Sequence, residues 1–138
     1  MLYGDGSLYH VDLDTLVCTA TGFQPSQQGF TTFGMGFVSD APGSDAETLF
    51  IASGPDLAAG QRGLLGTVDL ASLKVRPLGT LPTMASPELT GTGQGELWGF
   101  TPNIATPTVA QLDKRTAAYS NVYMLPSLAS TGLSPQAW

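Results

Sequence analysis

Leu64–Gly79, LLGTVDLASLKVRPLG, reads as a strand, a short turn and a returning strand. Upstream, Ser7–Gly22, SLYHVDLDTLVCTATG, aligns with it without a gap: Val11-Asp12-Leu13 on Val68-Asp69-Leu70, Thr15-Leu16 on Ser72-Leu73, Gly22 on Gly79. A looser third version, Thr108–Val122, TVAQLDKRTAAYSNV, has Leu112-Asp113-Lys114 in the Val-Asp-Leu place. Asp12, Asp69 and Asp113 therefore recur where a strand ends. A carboxylate there can accept the backbone N–H bonds of a turn, and that is the role expected of all three.

Composition agrees with a chain made of such hairpins. Its 138 residues suit one domain with a moderate core. Only 12% are charged, while 17 are Gly and 10 are Pro. Surface helices need Glu, Lys and Arg on their wet faces, and no window of helical length has an apolar stripe free of Gly and Pro. An all-β fold is expected. The net charge of −6 comes with five scattered basic residues, so a basic surface able to neutralise nucleic-acid phosphates is missing. No apolar run approaches the roughly 18–20 residues of a membrane helix. MLYGDGSLYH lacks the basic start and apolar stretch of a signal peptide, and Cys18 alone permits no internal disulfide, so the compartment stays unassigned.

In chain order, Leu2-Tyr3 makes a short strand and Gly4-Asp5-Gly6-Ser7 a hairpin turn. Leu8–Leu13 alternates as a half-buried strand, and Leu16–Thr21 returns as an outer one. After a polar loop, Phe30–Ser39, FTTFGMGFVS, places Phe33, Met35 and Phe37 on one face with Gly34 and Gly36 on the other. Glycines in a strand mark close approach of another backbone, which predicts an innermost position. Thr48–Ala52, TLFIA, is a continuous apolar run expected to be covered on both faces. Glu88–Gly91, Glu96–Thr101, Thr108–Asp113 and Tyr119–Leu125 repeat the order.

Units of 40–50 residues with four strands each are the signature of a propeller or similar array. With its Leu8-Tyr9-His10-Val11-Asp12-Leu13 hairpin, the chain resembles bacterial β-propellers whose blades carry an L-Y-x-V-D-L motif. Such families include lectins, sensor domains, hydrolases and quinone-dependent dehydrogenases, so the resemblance implies a blade and leaves the function open. It also implies an extracytoplasmic origin. With strands named a to d from the inside out, the chain runs b-c-d, a-b-c-d, a-b-c-d and ends entering another a. Three four-stranded antiparallel blades are expected: residues 2–25 plus a strand from 133–138, then 29–82, then 84–125. Closed rings need about four blades or more. The expectation is thus a homodimer completing a six-bladed propeller, with Ser134–Trp138 pairing against Leu2–Gly4 of the other chain.

Chemistry-bearing residues are sparse. His10 is the single histidine and has no ligand or catalytic partner in view. Cys18 reads as a small edge residue. Asp40–Asp45 with Glu47 lacks calcium-loop spacing and reads as a solvated turn, and Gly91–Gly95 as a hairpin turn with no Lys or helix after it. Trp98, alternating with Phe100, is expected in the core, and Trp138 to pack in ring closure or against a partner. The leading expectation is a non-enzymatic, self-assembling module with no cofactor and no metal. In propellers the loops leading into strand a and joining b to c gather at one axial end. Their residues Gln27, Gln28, Thr32, Asp56, Gln61, Arg62 and Asn103 then suit a polar or carbohydrate-like ligand. The alternative is part of a larger, hydrolase-like propeller enzyme, for which Glu88 and Glu96 would be remnants of paired carboxylates.

Overall fold

A computed structural model describes residues 1–83, 85–102 and 106–126. Its strands are β1 Tyr9–Val11, β2 Cys18–Ala20, β3 Phe33–Ser39, β4 Glu47–Ser53, β5 Leu64–Asp69, β6 Lys74–Thr80, β7 Glu88–Gly91, β8 Leu97–Thr101, β9 Thr108–Leu112 and β10 Tyr119–Met124. They are joined by turns, with one 3-10 turn at Gln27–Gly29. Within each sheet, strands consecutive in the chain pair antiparallel, giving one two-stranded sheet, β1-β2, and two four-stranded meanders, β3 to β6 and β7 to β10. The protein is all-β. Of the twelve strands expected, Leu2-Tyr3 supplies one isolated bridge, Leu2 to Leu8, and Ser134–Trp138 lies outside the described residues. Phe30, placed in a strand by its apolar neighbours, sits instead in the loop ahead of β3, fully buried.

The same turn closes the β1–β2, β5–β6 and β9–β10 hairpins. Asp12 accepts from the Thr15 N–H and hydroxyl at 2.8 Å each. Asp69 does so from Ser72 at 2.7 Å, and Asp113 from Thr116 at 2.8 and 2.9 Å. The residue four places on takes a left-handed backbone: Leu16 at φ 58°, Leu73 at 56° and Ala117 at 64°. An L-residue there costs roughly 1–2 kcal/mol. Its N–H returns to the aspartate carbonyl at 2.7–3.0 Å in each hairpin, which closes the turn. The role expected of the three aspartates is the role they have.

Two apolar layers hold the sheets together, and the middle sheet belongs to both. Leu49, Ile51, Val68 and Val75 pack with Leu8, Phe23, Phe30 and Phe33 on the side of the first sheet. Phe50, Ala52, Leu65 and Val38 pack with Leu89, Leu97, Leu112 and Ala117 on the side of the third. Alternation along β4 divides its residues between the layers, so the run Leu49–Ala52 is buried throughout, as its unbroken apolarity implied.

β3 and β7 lie side by side where the second and third sheets meet. A Cβ on Gly36 would stand 2.8 Å from the Leu89 carbonyl oxygen. One on Gly34 would collide with the Pro87 carbonyl, and one on Gly91 with that of Phe37. Glycine is required because two backbones touch there. At the opposite edge, Gly79 on β6 meets the Thr116–Ala117 turn in the same way.

Candidate functional site

Two of the loops expected to carry a ligand, the one before β3 and the one after β4, open at the same end of the middle sheet. Phe33, the first residue of β3, pairs with Ser53, the last of β4, so the loops before β3 and after β4 open in the same direction. A Cβ on Gly6 would lie 2.8 Å from the Thr31 carbonyl oxygen, and one on Gly54 would press on the Ser86 hydroxyl. The first contact ties the Gly4–Ser7 turn to the loop before β3, and the second ties the loop after β4 to the one before β7.

The polar groups expected to bind a ligand are used unequally. Gln27 Nε2 donates to the Gln24 carbonyl at 3.0 Å and the Leu73 carbonyl at 2.9 Å, while its Oε1 accepts from the Val75 N–H at 3.2 Å. Its amide thereby ties the first linker to β6. Gln28 and Thr32 are exposed, Gln28 in a left-handed conformation at φ 52°. Asp56 and Gln61 form a bridge with each other, Asp56 also accepting from the Ala59 N–H at 3.0 Å, and Arg62 beside them is exposed. Asn103 lies outside the described residues.

A larger feature lies on the third sheet, on the face turned away from the second. β8 alternates: Leu97 is in the shared core, while Trp98 and Phe100 point the other way and stay half-buried. Trp98, expected in the core by alternation with Phe100, is on this open face because among the described residues no further sheet covers it. A cleft of about 720 Å³ runs along the face, lined by Glu88, Thr90, Trp98, Phe100, Val109 and Leu125 among others.

The aromatic wall of that cleft is held in place. The β9–β10 register shifts between Ser120 and Tyr123, with Asn121 at φ 46°, so that Tyr123 comes opposite Val109 and shares its face. Tyr123 stacks on Trp98 with ring centroids 6.2 Å apart and planes 27° off parallel. The indole N–H donates to Glu96 Oε2 at 3.3 Å. Gln111 Nε2 donates to Glu96 Oε1 at 3.5 Å, and Asn121 Nδ2 donates to Gln111 Oε1 at 2.6 Å. Glu96 is thus a positioning group for Trp98. Its strand position is opposite Thr92, four residues along β7 from Glu88, which puts the two backbones roughly 13 Å apart at about 3.3 Å per residue. Sequence reading paired ELWGFT with TLFIA in position but missed this network. The available signal was that Trp98 and Phe100 fall where Phe50 and Ala52 fall in β4.

Two smaller clefts, of about 370 and 360 Å³, occupy matching places on the second and third sheets. Glu47, Asp69 and Lys74 line the first, and Glu96, Asp113 and Lys114 the second. Lys114 Nζ donates to the Ser39 and Asp40 carbonyls at 3.3 Å each, a tie between sheets. The turn aspartates are the groups with clear electrostatic bias. The Thr15 N–H, then its hydroxyl, holds Asp12 below the usual carboxylate range; Ser72 does the same for Asp69, and the Arg115 N–H with the Thr116 hydroxyl for Asp113. His10 and Cys18 are both exposed on the first sheet. Among known protein families, curated proteins and solved structures, none matches the chain.

Proposed function

We propose that this chain is a non-catalytic propeller module of about three blades that associates with a second copy to close a six-bladed ring. The observation that carries this is the pair of open apolar faces on the outer sheets. Trp98, Phe100 and Val109 line one of them, and Met1, Tyr3 and Leu16, at 55%, 60% and 74% exposure, lie on the first sheet. Contiguous apolar surface of this kind is rare on soluble monomers and marks an interaction site. The meander order of each four-stranded sheet, and the close approach of the first strands β3 and β7, are what blades around an axis require.

Under this reading the loops carrying Gln28, Thr32, Asp56, Gln61 and Arg62 form the axial end, suited to a neutral polar ligand such as a glycan. Multi-angle light scattering is the test of assembly. Twice the 14.3 kDa chain mass is expected, and one chain's mass at micromolar concentration would end the proposal. A glycan array addresses the ligand: binding that is lost on replacing Asp56 and Arg62 supports it, and an array without signal removes it.

A further inference from the structure

We infer that the Trp98–Phe100 face of the third sheet is the docking surface for the first sheet of a second copy of this chain. The inference rests on the self-association proposed above and names the two surfaces that meet.

Inside the chain, sheets follow one rule of coverage. The face of the second sheet that bears Phe50, Ala52 and Leu65 is covered by Leu89, Leu97 and Leu112 of the third. The corresponding face of the first sheet, with Leu2 and Leu8, is covered by Leu49, Ile51 and Val68 of the second. By strand register, Trp98, Phe100 and Val109 occupy the places of Phe50, Ala52 and Leu65. Theirs is the face of this kind that nothing covers among the described residues.

The first sheet has the opposite deficit. Val11 and Leu16 stand where Val68 and Leu73 stand in the second sheet. Val68 is in the core and Leu73 packs on it, yet Leu16 is 74% exposed. Ala117, the third residue of this set, is 0% exposed under the edge of the second sheet. Tyr3 and Tyr9 meet at a tilt beside Val11, with centroids 5.6 Å apart and planes 55° off parallel, forming an aromatic ridge. A ridge of two tyrosine rings suits the 720 Å³ cleft better than the small residues of an inner strand.

Two side chains sharpen the choice of occupant. At the places of Gly34 and Gly36, the third sheet carries Glu88 and Thr90. Those glycines are what lets β7 touch β3. A following sheet with an inner strand at that distance would strike both side chains. The first sheet, as described, has no inner strand: it consists of the Leu2 bridge, β1 and β2.

Directed cross-linking tests this on the full-length chain, with Cys18→Ser removing the native thiol. Tyr9→Cys and Phe100→Cys are placed on differently tagged copies, mixed, and treated with a short bis-maleimide. A covalent species carrying both tags is expected, and Leu57→Cys in place of Tyr9→Cys, 72% exposed in a loop, should reduce its yield at least tenfold. Light scattering on the same samples separates the outcomes. A dimer without the Tyr9–Phe100 product overturns the docking surface and leaves self-association standing. A monomer overturns both, including the case in which residues 127–138 of the same chain cover the face and protect Phe100→Cys from maleimide.

Discussion

The second and third sheets share a strand order and a turn, and they differ in what lies beyond them. β4 is covered on both sides, and every residue from Leu49 to Ser53 is buried. β8, its counterpart, has one dry face and one wet one, so Leu97 is buried while Trp98 and Phe100 are half-exposed. The sequences record this difference. In the second sheet the facing positions are Gly34, Gly36, Phe50 and Ala52, small where backbones meet and apolar elsewhere. In the third they are Glu88, Thr90, Trp98 and Phe100, with a glutamate fixing the indole. A sheet's position in the stack, more than its own hairpins, decides which side chains it can carry.

The most severe test of this contrast is truncation of the two matching aromatics. Phe50→Ala should cost about 4 kcal/mol, since it empties a site packed by both sheets. Trp98→Ala should cost under about 1 kcal/mol in the dissociated chain, because its ring is half in solvent. Urea unfolding at low protein concentration compares them; equal losses would mean that the third sheet's outer face is as dry as the core.

The glycine pair comes next. Gly36→Val should destabilise by about 3 kcal/mol, because the added atoms meet the Leu89 carbonyl and the Thr90 backbone. Thr90→Val at the matching place should change stability by less than about 0.5 kcal/mol. A tolerated Gly36→Val in a thermal melt would show that β3 and β7 can separate freely.

Smaller again is the contrast between the left-handed turn residues. Leu16→Gly relieves backbone strain at an exposed place and should stabilise the dissociated chain by about 0.5 kcal/mol. Leu73→Gly gains the same relief but uncovers the core beneath it, and should destabilise by about 1 kcal/mol. A stabilising Leu73→Gly, read from the shift in urea midpoint, would remove the difference in coverage.

The least of these effects is shared by all three hairpins and concerns acid. Asp12, Asp69 and Asp113 titrate below their unfolded value near 3.8 because turn N–H and hydroxyl groups hold the charged form. Their contribution is complete above that value and is lost as pH falls through the lower folded values. Asp→Asn at all three should therefore flatten the decline in urea midpoint below about pH 4 relative to the parent. An unchanged slope would assign acid sensitivity to other carboxylates.

The hairpins were legible from sequence because their determinants are local: an aspartate, a Ser or Thr three places on, and alternating strands on either side. Dry burial of Leu49–Ala52 was equally legible from an unbroken apolar run. Gly34 and Gly36 were read as sites of backbone contact for a steric reason that needs no knowledge of the neighbour. The open face was not legible. Trp98 and Phe100 look the same in sequence whether a sheet covers them or not, and Tyr123 reaches their side through a bulge at Asn121 that nothing in YSNVYM announces. Gln27, read as a ligand group from its loop, engages Leu73 and Val75, 46 and 48 residues away, a pairing set by sheet packing alone.

The aspartate-locked turn has a consequence for how the chain finds its structure. Closing β5 on β6 requires only the short span from Asp69 to Lys74, whereas closing β4 on β5 must bring together Ser53 and Leu64 across an irregular loop. The shorter closure loses less chain entropy, and hairpins of this kind form in roughly 1–10 μs. In the second sheet the outer hairpin should then assemble before β4 joins it and serve as the template on which that strand is laid. Asp69→Ala should slow folding by nearly its full effect on stability, giving a φ-value near one, and Gly36→Ala a value near zero in the same stopped-flow series. A reversed ranking would mean that the crowded inner strands nucleate the fold.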